Sequence, residues 1–518
     1  MMKKKKVVAI FTAAALAAGT MAGCSGGNAS SDESKAADPS QAAQAEGKDT
    51  PADSGESYHV VIENVTLGAE YKDTEAVEEA INAITVPAIN CTVEILNIAI
   101  PDHANKMSMM IAGGEKLDLC MTGLTTNLAS MANDGMLYEL DQYMDTVGAD
   151  LKEMFGDDLE AGKVNGVLYG IPSNNASGVA AGFIYNKEMA DTAGVTVPEK
   201  CTLDELMEIY QKVAQASPDV YFTSMGEGNS ALSSMVVPIA SFGDNAYYSY
   251  GVITDPLDGG TTIENWFASD TAKEYYSKVK EWQDLGIVPS DSMTSGVIPQ
   301  DLFKAKSSFG NFSNAAPKEL PLQASNYDFE VGMVELSDAY KDTRTVQEMM
   351  WGVPVTSENP EKAVEFLNFI YTNTEVANLL SYGLEGTNYE LTSDEGVINK
   401  IDNENPGYAT NFSLFGDQTK IYYKTPAKAG IQEEVAQFSQ NAKKTTTLGY
   451  VFDSSSVAAK AAAVSNVVQQ YGPSLEVGLV DNVDEALAQI VEAMNQAGMA
   501  DVIAENQKQL DAWLAGQN

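Results

Sequence analysis

Apolar residues recur along the chain with two spacings, and the alternation between them sets out the elements. Tyr58-His-Val-Val-Ile-Glu63 is a nearly unbroken run of strand formers and leads into the small-residue loop Asn64–Gly68. From about Lys72 to Ile84 the spacing becomes helical, with Ala76, Val77, Ala80, Ile81 and Ile84 on one face. A second strand is predicted over Cys91–Ile98, then a helix carrying Met107, Met110 and Ile111 that stops at Gly113-Gly114. Leu117–Met121 makes a third short strand. Strand, helix, strand, helix, strand is the order of an α/β unit with a parallel sheet. Ligands of such sheets lie beyond the carboxyl ends of the strands, which singles out Asn64–Gly68 and Thr122–Thr125 as candidate binding loops.

Further along, Gly166–Pro172 and Gly182–Asn186 read as extended, and Thr202–Ala214 and Ser269–Leu285 as helices. Asn359 caps and Pro360 opens a helix through Val364, Leu367 and Tyr371. Near the C-terminus Asn482 caps a helix through Leu487, Ile490, Val491 and Met494 that closes at Gly498, and a last helix carries Ile503, Leu510 and Leu514. No internal repeat is present.

The first 57 residues have a different character. Lys3–Lys6 precede an apolar stretch from Val7 to about Ala18, then Met21-Ala22-Gly23-Cys24. A basic start, a short apolar run and small residues make a secretory signal peptide over residues 1–23. Its end resembles a bacterial lipobox, which makes Cys24 the expected lipidated N-terminus of the mature chain, although Met21 stands where leucine is usual. Residues 24–57 are Ser, Ala, Asp, Glu and Gly with almost no apolar bulk, the composition of a flexible tether. The remaining cysteines, Cys91, Cys120 and Cys201, are odd in number and lack C-x-x-C spacing, so buried free thiols are expected.

Charge narrows the function. Among 518 residues, 73 are acidic and 31 basic, a formal net charge of −42, and Arg344 is the sole arginine. Such a chain repels polyphosphate backbones, so no nucleic-acid partner is expected. An arginine clamp on an anionic ligand is disfavoured, which points to a neutral or cationic ligand. With only His59 and His103, neither a histidine-rich metal site nor a Ser-His-Asp hydrolase is expected. Asp102 and His103 match no metal pattern and read as solvated; no metal and no cofactor are implied.

Several segments together resemble the bacterial extracellular solute-binding proteins of ABC importers, the family of maltose-binding protein. They are Asn133–Tyr143, Lys163–Pro172 followed by Phe183–Lys187, Phe303–Asn311 and Trp351–Ala363. Tyr382-Gly-Leu-Glu-Gly-Thr-Asn-Tyr389 and Leu448–Asp453 through Trp513 resemble a Gram-positive lipoprotein subgroup with a C-terminal module of unassigned function. The resemblance implies an α/β fold of two lobes, of the type II periplasmic-binding kind, hinged by chain crossings near 172–176, 345–351 and 385–391. Lobe 1 would comprise 58–172 plus 351–385, and lobe 2 173–350 plus 386–518. It further implies a membrane-anchored monomer on the outer face of the cell that captures a small-molecule solute and passes it to ABC permease subunits. A carbohydrate is the first expectation, a peptide or cationic solute the alternative, and a surface glycosidase a more distant one.

A sugar site needs aromatic platforms and planar polar groups. On that basis the candidate contacts are Thr122, Gly123, Asn174, Tyr247, Trp266, Asn311, Phe312, Trp351, Glu385 and Tyr389, with Trp351 and Glu385–Tyr389 expected to share one ligand. Trp282 and Trp513 are expected in the core. Ser173, Asn174 and Asn175 flank the first crossing, as ligand contacts or as hinge.

Overall fold

The computed structural model describes residues 56–68, 70–224, 236–242, 248–402 and 404–517. The signal segment, Cys24 and Tyr247 lie outside these. Among the described residues no helix is long and apolar enough to cross a membrane.

The first lobe grows from the predicted α/β unit. Strands Tyr58–Thr66 and Cys91–Ala99 pair in parallel along their whole length. The first is buried on both faces from Val60 onward, which accounts for its unbroken apolar sequence. Between them, helix Thr74–Ile89 buries Val77, Ile81 and Thr85 and ends at Asn90, whose φ of 52° stops it. Leu119 joins the other side of the first strand, with Glu63 N–H donating to its carbonyl. The short strand Cys120–Thr122 that follows lies beside Met350–Gly352, which in turn pairs with Gly170–Pro172, both contacts antiparallel. Helices Pro360–Thr372 and Thr374–Tyr382 cover this sheet with Phe366, Ile370, Tyr371 and Leu380.

The second lobe is built on Ala181–Asn186, flanked antiparallel by Gly310–Asn314 and Val331–Glu335. Phe183, Phe222, Phe312 and Trp282 interlock on one side of it, with Phe183 and Phe222 stacked at 5.1 Å and Trp282 edge-on to Phe222 at 5.2 Å. The same core takes in Val464, Val468, Ile490 and Met494 from the C-terminal helices Ala458–Glu476 and Val483–Ala497. The C-terminal helices thus complete the second lobe rather than hang from it.

The chain crosses between lobes at 173–180 and 336–349. The expected third crossing at 385–391 is corrected. Residues 386 to about 421 stay with the first lobe, because Tyr408 and Phe415 enter its core and Phe412 N–H donates to the Val65 carbonyl, and Tyr423, Ala427, Ile431 and Val435 then pack on Ala176 of the first crossing. The return comes at Lys443–Lys444, paired in parallel with Tyr340–Lys341 of the second crossing.

Asp417 holds the first crossing. Burial raises its pKa, but hydrogen bonds from Thr419, Asn175 and Lys420 outweigh that and leave the carboxyl below its ordinary value. A carboxylate depressed in the folded state contributes stability that is present above the unfolded pKa, about 4, and is lost as pH falls through the folded value. Asp417→Asn is therefore expected to melt below the wild type at neutral pH, with the gap closing below about pH 4. Melting curves from about pH 7 to pH 2.5 check this, and a gap that stays constant would contradict it.

The described cysteines Cys91, Cys120 and Cys201 are free and buried, as their spacing implied. Burial pushes the Cys91 thiol up to about 11 and raises the other two as well, so none is a reactive thiolate at neutral pH.

Candidate functional site

A cavity of about 660 Å³ opens where the lobes meet. Four stretches line it: Gly123–Asn127 just past a first-lobe strand, Val179–Ala181 at the end of the first crossing, Ser313–Asn314 on the second lobe, and Tyr340 to Glu348 along the second crossing. The carboxyl-end rule thus locates one wall, since the loop after Cys120–Thr122 is that wall. Its other candidate, Asn64–Gly68, does not line the cavity: Asn64 donates to the Ala409 carbonyl and Val65 N–H to Ser413 Oγ, while Leu67 is exposed elsewhere on the surface.

Gly123 fixes how the first wall meets the crossing. Its φ is 95°, and a Cβ there would lie 2.2 Å from the Gln347 carbonyl oxygen and 2.7 Å from that of Glu348. Only glycine permits this approach of backbone to backbone. Beyond it Asn127 caps helix Leu128–Asn133 through a 2.8 Å bond from Ser130 N–H, which anchors the far end of the loop. On the facing wall Asp342 and Thr345 form a reciprocal cap on the short helix Thr343–Gln347, and Arg344 and Glu348 follow one turn apart.

Arg344 is exposed to the cavity. The Asp342 charge raises its pKa, burial opposes this, and Tyr340 and Glu348 add to the rise. Among the described residues no carboxylate lies within ion-pair distance of the guanidinium. The chain's one arginine therefore presents its donors to the cavity, a residue not among the expected contacts. Glu348 supplies acceptors beside it, and Thr126, Ser313 and Asn314 supply neutral polar groups. Tyr340 is the aromatic ring among the described lining residues; burial pushes its hydroxyl up to about 12, so it stays a neutral donor.

Of the expected contacts, Gly123 lines the cavity and Thr122 lies buried beside it. The tryptophans are corrected. Trp351 is wholly buried, with its indole N–H on the Leu414 carbonyl at 3.2 Å and Phe415 at 5.3 Å. Trp266 is likewise buried and donates to Tyr276 Oη at 2.9 Å, which itself donates to Glu476. Neither ring has a free face. Phe312 belongs to the second-lobe core and Asn311 is buried on the opposite side of the same strand; the next two residues, Ser313 and Asn314, reach the cavity instead. Asn174 bonds the Ala176 N–H, Ser173 the Met349 carbonyl and Asn175 the Asp417 carboxylate, all hinge contacts. Glu385 is exposed in a turn bridged to Tyr389, Tyr389 packs against Tyr382 and Tyr422, and neither lines the cavity or meets Trp351.

His103 departs from the expectation of a solvated side chain. It is wholly buried, 2.7 Å from Glu63, and bonded to Thr125. No local signal marks it, because the residues around it in sequence are those of an ordinary helix start.

The profile of the bacterial extracellular solute-binding protein family matches residues 89–377, and that of a domain of unknown function (DUF3502) matches 446–515. Over 525 aligned residues the chain is 24% identical to a carbohydrate ABC transporter substrate-binding protein of Streptococcus pneumoniae, covering 99% of this chain and 98% of that one. Its fold is similar to the crystal structure of the N-glycan transport solute-binding protein from Streptococcus pneumoniae, at 21% identity and a TM-score of 0.77, across 89% of this chain and all of the other. A structure of that protein in complex with Man1GlcNAc superposes at 0.67, with 20% identity over 88% and 99% of the two chains.

Proposed function

Because the chain belongs to the bacterial extracellular solute-binding protein family, we propose that its solute is an oligosaccharide, captured in the cavity at the lobe junction and passed to the permease of an ABC importer. The observation that carries this reading is the lining itself. A donor-only guanidinium and a carboxylate stand one turn apart among hydroxyls and two amides, a set matched to the paired donors and acceptors of sugar hydroxyls. Binding of a carbohydrate by the similar pneumococcal proteins supports the same class. The solute would bind with both lobes in contact and so favour their closure about the crossings.

Titration calorimetry with Man1GlcNAc and a panel of neutral oligosaccharides tests the proposal. Arg344→Ala is expected to weaken binding of the responding sugar about 10- to 100-fold, the loss of charged hydrogen bonds of roughly 1.5–3 kcal/mol. No heat from any sugar, together with binding of a cationic peptide, would overturn the assignment.

We also propose that Cys24 carries the lipid that holds the protein at the outer membrane face, on the strength of the lipobox-like Met21-Ala22-Gly23-Cys24 and the polar stretch after it. Cys24→Ala should shift the protein from the membrane fraction to the medium once the signal is cleaved. Undiminished membrane retention of the cleaved variant would refute the anchor.

A further inference from the structure

Two lysines stand side by side in this acidic chain without an acid to balance them. Tyr389–Leu391, Val397–Lys400 and Tyr423–Lys424 form a three-stranded sheet in that order. Its register sets Tyr389 opposite Lys400, and Ile398 opposite both Leu391 and Lys424. Side chains alternate along a strand, so Tyr389, Ile398, Lys400 and Lys424 share one face, while Val397 and Tyr423 turn the other way, onto Ala176. The Lys424 ammonium lies 5.9 Å from the centre of the Tyr382 ring, and that ring packs edge-on against Tyr389 at 6.4 Å. Lys400 reaches the same ammonium at hydrogen-bond distance.

Among the described residues no carboxylate stands within ion-pair distance of either lysine. The acids nearby are engaged or face elsewhere. Glu390 is exposed on the opposite face, in register with Asn399; Asp394 faces Lys428, and Asp417 is held by Lys420. Glu385 is exposed in the turn before Tyr389, and Glu319 acts on Tyr423 behind the sheet. Burial first, and the Lys400 charge next, pull the Lys424 ammonium down to about 8, and burial lowers Lys400 too. Half-buried ammonium groups in contact repel each other with little water or salt between them. A carboxylate between them reverses the sign of that interaction and gives both nitrogens a charged acceptor. Tyrosine rings beside the pair suit the body of a sugar.

The place of the pair relates it to the solute. Helix Glu319–Ala324 of the second lobe approaches the strand Tyr423–Lys424, and residues 315–318 join that helix to Asn314 of the cavity wall. We propose that Lys400 and Lys424 form an anion subsite at the edge of the lobe junction, which takes the carboxylate of an acidic sugar residue at one end of the oligosaccharide. The cavity with Arg344 and Glu348 then holds the neutral part of the same molecule. The proposal rests on the reading of that cavity as the solute site. The net charge of −42 repels a polyanion at long range, whereas a single carboxylate is met here at contact.

One arm of the test needs no oligosaccharide. At low salt Lys424→Met removes the repulsion at similar side-chain length and should melt above the wild type. Sodium glucuronate, compared with glucose and sodium chloride at matched ionic strength, should raise the wild-type melting temperature and leave Lys400→Met and Lys424→Met unmoved. In the second arm, calorimetry compares neutral oligosaccharides with counterparts that carry one terminal glucuronate or sialic acid. The wild type should bind the acidic member of the responding pair about 10- to 100-fold more tightly. Lys400→Met and Lys424→Met should lose that preference and keep the neutral affinity within about twofold. Equal affinity for both members, a preference that survives both substitutions, or no wild-type shift with glucuronate would overturn the proposal. A Lys424→Met that melts below the wild type would do the same, since the ammonium would then be stabilising without any anion. No heat from any sugar, with a lysine-dependent glucuronate shift still present, would count against the carbohydrate cavity and leave the anion subsite standing.

Discussion

Deleting residues 446–518 is expected to abolish folding rather than to yield a lighter binder. Val464, Val468, Leu475, Val477, Leu487, Ile490 and Met494 are all buried in the second-lobe core beside Phe222, Trp266 and Trp282. Each such side chain contributes about 1.5–3 kcal/mol when fully buried, so the seven together amount to about 10–20 kcal/mol, as large as the roughly 5–15 kcal/mol by which ordinary domains are stable. The deletion would also strip Glu476 from Tyr276, leaving the Trp266–Tyr276 pair without its buried acceptor. The truncated chain should be insoluble or lack a cooperative melt. A soluble truncation with a wild-type melting profile would show the module to be separable.

The second large effect is expected from Lys341→Met. Lys341 Nζ lies 3.0 Å from Asp158 Oδ2, with side-chain exposures of only 11% and 7%. The pair ties the first-lobe segment Gly156–Gly162 to the strand Tyr340–Lys341 of the second crossing. Removing the ammonium strands a carboxylate out of water, which typically costs about 3–5 kcal/mol. Replacing both partners with apolar residues removes the stranded charge, so Lys341→Met with Asp158→Leu should recover most of the loss. Denaturant unfolding of the two single variants and the double reads this directly. A single variant within about 1 kcal/mol of wild type would mean the pair is solvated in practice. Since Arg344 and Glu348 follow Lys341 on the same crossing, a lost pair should also weaken solute binding.

Much of the architecture is legible in the residues alone. The strands at 58 and 91, the helices opening near Thr74, Leu203, Pro360 and Val483, and the caps of the last two by Asn359 and Asn482 follow local periodicity and side-chain chemistry. Those signals span a few turns, and neighbouring residues suffice to produce them. The order of the elements was enough to indicate an α/β sheet and one wall of the cavity, because the loop after a strand must emerge at its carboxyl end, while the two-lobed class followed from the family resemblance.

Which side chains face that cavity was settled only by contacts between distant parts of the chain. Trp351 could have been a platform for a sugar until Leu414, 63 residues on, took its N–H and Phe415 covered its ring. Trp266 was claimed in the same way by Tyr276 and the still more distant Glu476. Arg344 runs the other way: no local pattern singled it out, and the capped turn at Asp342 sets it beside the cavity with no carboxylate at ion-pair distance among the described residues. His103 joins Glu63 to Thr125 across forty and twenty-two positions of sequence, a spacing that corresponds to no local period. Periodicity tells a residue which face of its own element it occupies. Whether that face meets core, hinge or cavity depends on what packs over it, and that is a property of the whole fold.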